Sequence, residues 1–220
     1  MADDYGSMQS RIADELARSD LTTQIALAIQ TAIKRHERER FYFNTKTGTF
    51  STVAAQEYYA AAANSDIPNI SKIERAKVTV DGYKYDLVAS TFDSIDDEQD
   101  GTITGDPTHF AYFAQQVRLY PIPNAIRTVT MAYVYRLSSL SDSADANAWM
   151  TDGEELIRQT AKGIVAADVI SDEAMMMRAG ALESGARGRL LAETRKRVTI
   201  DRMSLDSAMT GGSRSNILRG

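Results

Sequence analysis

Apolar side chains recur at helical spacing near the start of the chain. Met8, Ile12 and Leu16 share one face of a helix that is predicted from Ser7 to Arg18. A second helix is predicted from Leu21 to Arg40, with a highly charged C-terminal end and an apolar stripe of Ile25, Ala28, Ile29, Ala32 and Ile33.

The middle of the chain alternates apolar and polar positions, which is typical of strands. Asp81-Gly82 is the strongest hairpin signal because both turn positions favour a positive φ, and a further turn is expected at Thr45–Gly48. We expect the aromatic residues of this region to pack in a sheet core or in cross-strand pairs and not to stack on bases. The predicted strands are Phe41–Phe43, Phe50–Val53, Gln56–Tyr59, Ile73–Val80, Tyr83–Leu87, Phe110–Gln115, Val117–Tyr120 and Ile126–Leu137.

Helical spacing returns in the last third of the chain. Thr151 and Glu154 have the spacing of a capping box, so a helix is predicted over Asp152–Ile170. Ser171-Asp172 is placed to cap a further helix over Glu173–Arg202.

The end of the chain and the order of its elements complete the predicted fold. Gly185 favours a bend or a break in the last helix, and the serine- and glycine-rich residues 203–220 are predicted to be a flexible tail. Helices, then strands, then helices predict an α+β fold, in which a helical layer or bundle carries a central antiparallel sheet or β-barrel-like insertion. The predicted division is 1–40 and 138–202 for the helical domain, 41–137 for the β-rich region and 203–220 for the tail.

The composition is that of an ordinary globular protein, with 43% hydrophobic residues and only 4 prolines in 220 residues. The absence of cysteine excludes disulfides and thiolate metal sites. The formal net charge of -5 does not suit a dedicated nucleic-acid binder, whereas a protein that only lets DNA pass needs no positive surface. The acidic N-terminus and the short apolar stretches predict neither a secretory signal nor a membrane span.

The most acidic stretch is 93–106, part of which resembles a calcium-binding EF-hand loop. Asp96, Glu98 and Asp100 stand at the first, third and fifth places of that loop, where carboxylates bind calcium. The twelfth place is Pro107 instead of a bidentate glutamate. An acidic surface loop is therefore the preferred interpretation, and these residues are only a weak candidate for a metal site.

No motif for catalysis or for cofactor binding is recognisable, since His36 and His109 lie on different elements and no glycine-rich phosphate loop occurs. We therefore expect a protein that is not an enzyme and needs no cofactor. The most basic segment lies in the last helix, where it could face DNA or an acidic neighbouring subunit, or be a solvated helix face. The candidate interface residues of this helix and of the tail are Arg187, Arg189, Arg195, Lys196, Arg197, Met203, Arg214 and Arg219.

Several short motifs follow one another in the second half of the chain. A strand closes with Val117-Arg118-Leu119-Tyr120-Pro121-Ile122-Pro123; then come a tyrosine-rich strand, a Ser/Asp loop over Leu137–Ala146, the element Trp149-Met150-Thr151-Asp152 and a helix. This order resembles that of phage head-to-tail adaptor proteins, also called head completion or connector proteins. The early helix before Phe41-Tyr42-Phe43 also fits, so the resemblance covers roughly residues 21–173.

The resemblance implies a structural protein of the virion. Such proteins form a generally dodecameric ring of identical subunits beneath the portal protein, assembled in the host cytoplasm. The ring extends the DNA channel and presents a docking surface for the tail or a stopper protein. Double-stranded DNA would pass through without sequence-specific binding, and no membrane would be involved. Because a ring needs two complementary faces, the basic segment 187–202 and the acidic segment 93–106 are candidate opposites in neighbouring subunits.

Three other functions are compatible with parts of the sequence. A tail-completion or tail-tube terminator protein would share the strands but usually has less helix at its ends. A calcium-dependent adhesive domain would use the acidic loop. A nuclease built on Asp96, Asp97 and Glu98 has the least support, because no lysine or histidine stands at motif spacing.

Overall fold

The structure, a computed structural model, describes residues 4–98 and 101–210, with side chains up to residue 197. The chain divides into two compact units. The helical unit comprises Met1–Ala32, Arg40–Phe43 and Asp142–Gly220, and the sheet unit comprises Ile33–Glu39 and Asn44–Ser141.

Helices form both ends of the described chain, as the apolar spacing predicts. A π-helical stretch, Ala166–Ile170, continues the fifth helix towards the sixth. The helices are α1 (Tyr5–Leu16), α2 (Thr22–His36), α3 (Phe92–Glu98), α4 (Ala148–Thr151), α5 (Glu154–Val165) and α6 (Glu173–Thr210).

Polar side chains fix where two of these helices begin. The Asp4 carboxylate accepts the backbone N–H of Ser7 at 2.7 Å, and the Ser7 hydroxyl accepts the backbone N–H of Asp4, which completes a capping box at α1. At α6, the Asp172 carboxylate accepts the N–H of Met175 at 2.9 Å. The predicted cap of the last helix is therefore confirmed.

The capping box predicted at Thr151 and Glu154 is wrong. The Thr151 hydroxyl lies 3.1 Å from a carboxylate oxygen of Asp152, and α5 begins without a side-chain cap. The chain is already helical before this point, because the Asn147 side chain accepts the N–H of Trp149 at 2.9 Å and caps α4. Thr151 is thus the last residue of α4 and not the residue before a helix.

Two helix boundaries also differ from the prediction. α2 ends at His36, four residues early, and the side chain of Asn44 donates to the carbonyl of Glu39 beyond it. α6 is unbroken across Gly185, where the flanking alanine, leucine and arginine residues favour helix, and it continues to Thr210. Of the predicted tail, residues 203–210 have helical backbone, and 211–220 lie outside the described residues.

A seven-stranded mixed sheet forms the sheet unit, in the order β1-β9-β3-β4-β6-β7-β2. Neighbouring strands are antiparallel except β4 and β6, which are parallel. The prediction of a wholly antiparallel sheet is therefore wrong at this one pair. The predicted α+β class is confirmed. The strands are β1 (Thr45–Ser51), β2 (Tyr58–Tyr59), β3 (Ile70–Val80), β4 (Tyr83–Ala89), β6 (His109–Phe113), β7 (Gln116–Tyr120) and β9 (Thr128–Tyr135), while β5 (Thr104–Gly105) and β8 (Ile122–Pro123) form a separate parallel pair.

The sheet curls into a half-barrel because its two edge strands are close in sequence. Only residues 52–57 separate β1 from β2, a stretch that reaches at most about 25 Å. In a flat sheet, six spacings of about 4.8 Å would place those edges roughly 29 Å apart. The rings of Phe50 in β1 and Tyr59 in β2 instead lie 4.8 Å apart, and they join a core to which Met131 and Tyr133 contribute from β9.

The sequence prediction is wrong at the start of this sheet. Thr45–Gly48, predicted to be a turn, belongs to β1 and pairs with β9 along its length. Phe41–Phe43, predicted to be a strand, has no strand structure and belongs to the helical unit. Strand pairing overrides the local turn preference here, and Gly48 is needed because a Cβ would lie 2.6 Å from the Tyr133 hydroxyl.

Two hairpins with two-residue turns allow a matched test of backbone strain. Asp81-Gly82 joins β3 to β4 and Ala114-Gln115 joins β6 to β7, and all four residues have positive φ. Glycine, asparagine and aspartate tolerate this conformation, whereas alanine and glutamine are strained in it. We expect the change of Ala114-Gln115 to Asn-Gly to raise the free energy of unfolding by about 1 kcal/mol in urea denaturation. Gly82→Ala should lower the free energy of unfolding by a similar amount. Two variants that shift this free energy in the same direction would contradict this account.

Candidate interaction surfaces

The acidic segment is partly helical and is fastened to the sheet. Asp96 and Glu98 lie on α3, and Asp100 lies outside the described residues. A carboxylate oxygen of Asp96 is 3.1 Å from the guanidinium of Arg118 in β7. In the part of the chain that the structure describes, no group of three or more histidine, aspartate or glutamate side chains is placed to hold a metal ion. The side chains of Asp93, Asp96, Asp97 and Glu98 are exposed, as expected for an acidic surface, but they lie on α3 and not in a loop.

Arg118 is the centre of this attachment, although its side chain is only 5% exposed. Its guanidinium makes cation–π contacts with two rings, 4.6 Å from the centre of Phe92 and 5.4 Å from that of Tyr58. It donates to the carboxylate of Glu57 and to the carbonyl of Phe92. Charge pairing and cation–π contacts together therefore hold α3 and the start of β2 against β7.

The aromatic side chains of the sheet fall into two groups. Tyr59 and Tyr133 are fully buried, and the Tyr133 hydroxyl donates to Asp66 at 2.7 Å. Burial and this carboxylate raise the pKa of Tyr133 far above its usual value. Tyr83 and Tyr85 on β4 are exposed instead. The expectation is thus confirmed for the core at Tyr133, whereas Tyr83 and Tyr85 lie opposite Val80 and Val78 of β3 and not in the core.

The predicted basic segment of α6 is only partly available to a partner. Arg189 pairs with Glu155 at 2.6 Å, and Arg197 pairs with Glu193 at 3.1 Å. Arg187, Arg195 and Lys196 are exposed. The side chain of Met203 and all of Arg214 and Arg219 lie outside the described residues. Folding therefore commits at least two of these helix cations, Arg189 and Arg197, to partners within the chain.

Tyr42 attaches this part of α6 to the other elements of the helical unit. Its ring stacks under the Arg197 guanidinium at 3.7 Å, its N–H donates to the buried Thr194 hydroxyl, and its own hydroxyl donates to Asp152 at 2.7 Å. Burial and the Asp152 carboxylate raise the pKa of Tyr42 to about 12. A neutral Tyr42 therefore stabilises this attachment at any pH below 10, and the stabilisation is lost as pH rises towards 12.

The rings of Phe41, Phe43 and Trp149 form a cluster beside Tyr42, which is called the aromatic anchor below. Trp149 is buried, and the centres of the Phe41 and Phe43 rings lie 5.8 and 5.0 Å from its own. Gly153 allows this packing because a Cβ there would be 2.8 Å from the Trp149 ring. The sequence analysis missed this cluster by assigning Phe41–Phe43 to a strand, although the single tryptophan was a signal for a buried anchor.

A cavity of about 380 Å³ lies among α1, α5 and α6, and no sequence motif indicates it. Met175, Ala179 and Leu182 of α6 form its apolar side. On its polar side, Glu15 pairs with Arg158 at 2.6 Å and with Lys162 at 2.7 Å. Although burial opposes ionisation of Glu15, the hydrogen bond from Lys162 and the nearby positive charges hold its pKa below the usual value.

Comparison with known proteins adds one match. The sequence model of a family described as SU10 adaptor protein matches residues 3–210. No curated protein matches the chain. Among the helices of the described residues, none has an apolar stretch long enough to cross a membrane.

Proposed function

Because the chain belongs to the SU10 adaptor protein family, a phage head-tail adaptor family, we propose that it is one subunit of a ring that docks beneath the portal. In this proposal the ring is dodecameric, extends the DNA channel and presents the surface to which the tail or a stopper protein binds. The family is one of structural adaptors, which implies a role without catalysis. The virion is its final location.

The match over residues 3–210 is the observation that carries this proposal, because it spans both the helical unit and the sheet unit. The charge of the chain is compatible with it. A net charge of -5 gives no general attraction for phosphates, so DNA could move through the ring without being held.

Sedimentation of the chain with purified portal rings tests this function. We expect the chain to co-sediment with the portal at a fixed, saturable ratio that fits one closed ring per portal. Sedimentation as a free species at every concentration, with no saturable binding, would overturn the proposal.

The C-terminal residues are the proposed attachment to the portal. At about 1.5 Å per residue, the 38 residues of α6 extend about 57 Å, whereas the 12 residues of α5 extend about 18 Å. Because α6 contacts Tyr42 as late as Arg197, its last 13 residues, 198–210, continue beyond that contact for about 20 Å. A long helix end, followed by the polar residues 211–220, is suited to ordering against a partner during assembly.

Removal of residues 203–220 should weaken binding to portal rings at least tenfold, measured as the dissociation constant, which corresponds to about 1.4 kcal/mol. The midpoint of thermal unfolding should change little, since the described contacts of α6 within the helical unit, at Arg189, Thr194 and Arg197, all precede the removed residues. Replacement of Arg214 and Arg219 by serine in the full chain separates the effect of charge from that of length. Unchanged affinity of the shortened chain would exclude this segment as the attachment.

A further inference from the structure

Phe113 is an exposed aromatic side chain at the tip of the β6–β7 hairpin. It is 62% exposed, and its ring lies 5.2 Å from that of Phe92 at the start of α3. Register places it opposite Gln116, on the same face of the sheet as Arg118. The hairpin tip therefore presents a phenyl ring that its own chain covers on one side only.

The helix α3, whose Phe92 contacts this ring, carries exposed negative charge. Asp93 and Asp97 lie one helical turn apart and are exposed, and Glu98 is exposed next to them. Among residues 4–98 and 101–197, none of these three carboxylates has a cationic partner, whereas Asp96 is paired with Arg118. Phe113 and these three exposed carboxylates of α3 are together called the acidic knob below.

The cavity among α1, α5 and α6 has the opposite character. Its volume of about 380 Å³ falls within the range of cavities that hold small ligands, so a phenyl ring fits. Met175, Ala179 and Leu182 would contact such a ring, and Leu182 is 41% exposed. Arg178 is exposed at the same cavity, and in the described part of the chain it has no acidic partner.

We propose that the acidic knob of one copy docks in this cavity of the next copy, with Phe113 inside it and the carboxylates of α3 facing Arg178. The inference rests on the proposed function, in which copies of the chain form a ring. Such a ring needs a heterologous interface, and the knob and the cavity are two different surfaces of one chain with complementary charge. An aromatic side chain that fills a pocket is also the usual anchor of a protein interface.

Cross-linking between single-cysteine variants tests this contact, because the natural chain contains no cysteine. Gln116→Cys places a thiol beside Phe113. Gly185→Cys places one on α6, three residues past Leu182 and on the same face, where a Cβ meets nothing closer than 3.7 Å. Gly180→Cys is the matched control, since a Cβ there meets nothing within 4 Å and the position lies on the opposite face of α6 from Leu182.

A short bismaleimide linker added to an equal mixture of the Gln116→Cys and Gly185→Cys chains should give mostly the mixed dimer. The mixture with Gly180→Cys should give at least tenfold less. Adding Phe113→Ala to the Gln116→Cys chain should remove the mixed dimer, and circular dichroism should show that this variant, changed at an exposed position, still folds. Equal yields with Gly185→Cys and Gly180→Cys, or no mixed dimer at high concentration, would overturn the proposed contact.

Charge exchange gives an independent test with a different readout. One variant chain carries Asp93→Lys and Asp97→Lys, and a second carries Arg178→Glu. We expect that neither variant alone forms a ring on the portal, measured as co-sedimentation of the chain with portal rings. An equal mixture of the two variants should form the ring again. In an alternating ring, the lysines of one variant face the glutamate that Arg178→Glu introduces in the cavity of the other variant, and the natural carboxylates face Arg178. If rings form on the portal but the mixed cross-link does not, the contact is rejected and the adaptor function is kept. If the mixed cross-link forms but rings do not, the function is rejected and the contact is kept.

Discussion

Replacement of Trp149 by alanine should lower the free energy of unfolding by about 3–5 kcal/mol, the usual cost of removing a large aromatic side chain from a core. Trp149 is only 1% exposed and packs edge-on against Phe41 and Phe43. Its removal would leave a cavity that Gly153 has no side chain to fill. Urea denaturation followed by circular dichroism measures the loss as a shift of the midpoint.

Trp149→Phe is the matched control for this prediction. A phenyl ring keeps contact with Phe41 and Phe43 but fills less volume, so its loss of stability should be less than half of that for alanine. Leu27→Ala, at a side chain that is 63% exposed on α2, should change stability little. If Trp149→Ala were no more destabilising than Leu27→Ala, the aromatic anchor would not stabilise the helical unit.

Replacement of Arg118 by leucine should cost about 2–3 kcal/mol of unfolding free energy, because it removes the cation that Glu57 and Asp96 share. Glu57 is 19% exposed at its side chain and would keep a poorly solvated charge, whereas Asp96 is 64% exposed and can return to water. The Phe92 and Tyr58 rings would also lose their cation–π contacts with the guanidinium. Urea denaturation of both proteins checks the value.

Arg127→Leu is the control for this second prediction. Arg127 also contacts two carboxylates, those of Asp106 at 2.7 Å and Asp81 at 3.4 Å, but these groups are exposed. Exposed ion pairs contribute little, so its loss should be much smaller than that of Arg118. Equal losses for the two arginines would show that the burial of Arg118 is not what makes its pairing important.

The sequence predicts those elements whose signals are local. Asp81-Gly82 specifies its own turn, and Asp172 caps α6 through a residue three positions away, so both predictions are confirmed. Thr45–Gly48 has the composition of a turn, yet it is a strand because β9, more than eighty residues later, pairs with it. Such long-range pairing leaves no local trace in the sequence.

The candidate surfaces divide in the same way. The acidity of 93–106 and the cations of α6 are visible in the sequence. Whether these charged groups are available to a partner is not visible in the sequence, because Arg118 pairs with Asp96 and Arg189 pairs with Glu155 only after folding. The cavity beside Arg178 also depends on three helices and has no sequence motif.

Negative-stain electron microscopy of the chain mixed with portal rings tests the central claim most directly. A continuous ring of added density on one face of the portal, with an open central channel, is the expected result. Portal particles that stay unchanged at saturating concentrations of the chain, with every added molecule seen as a separate monomer, would contradict the assignment as a head-to-tail adaptor.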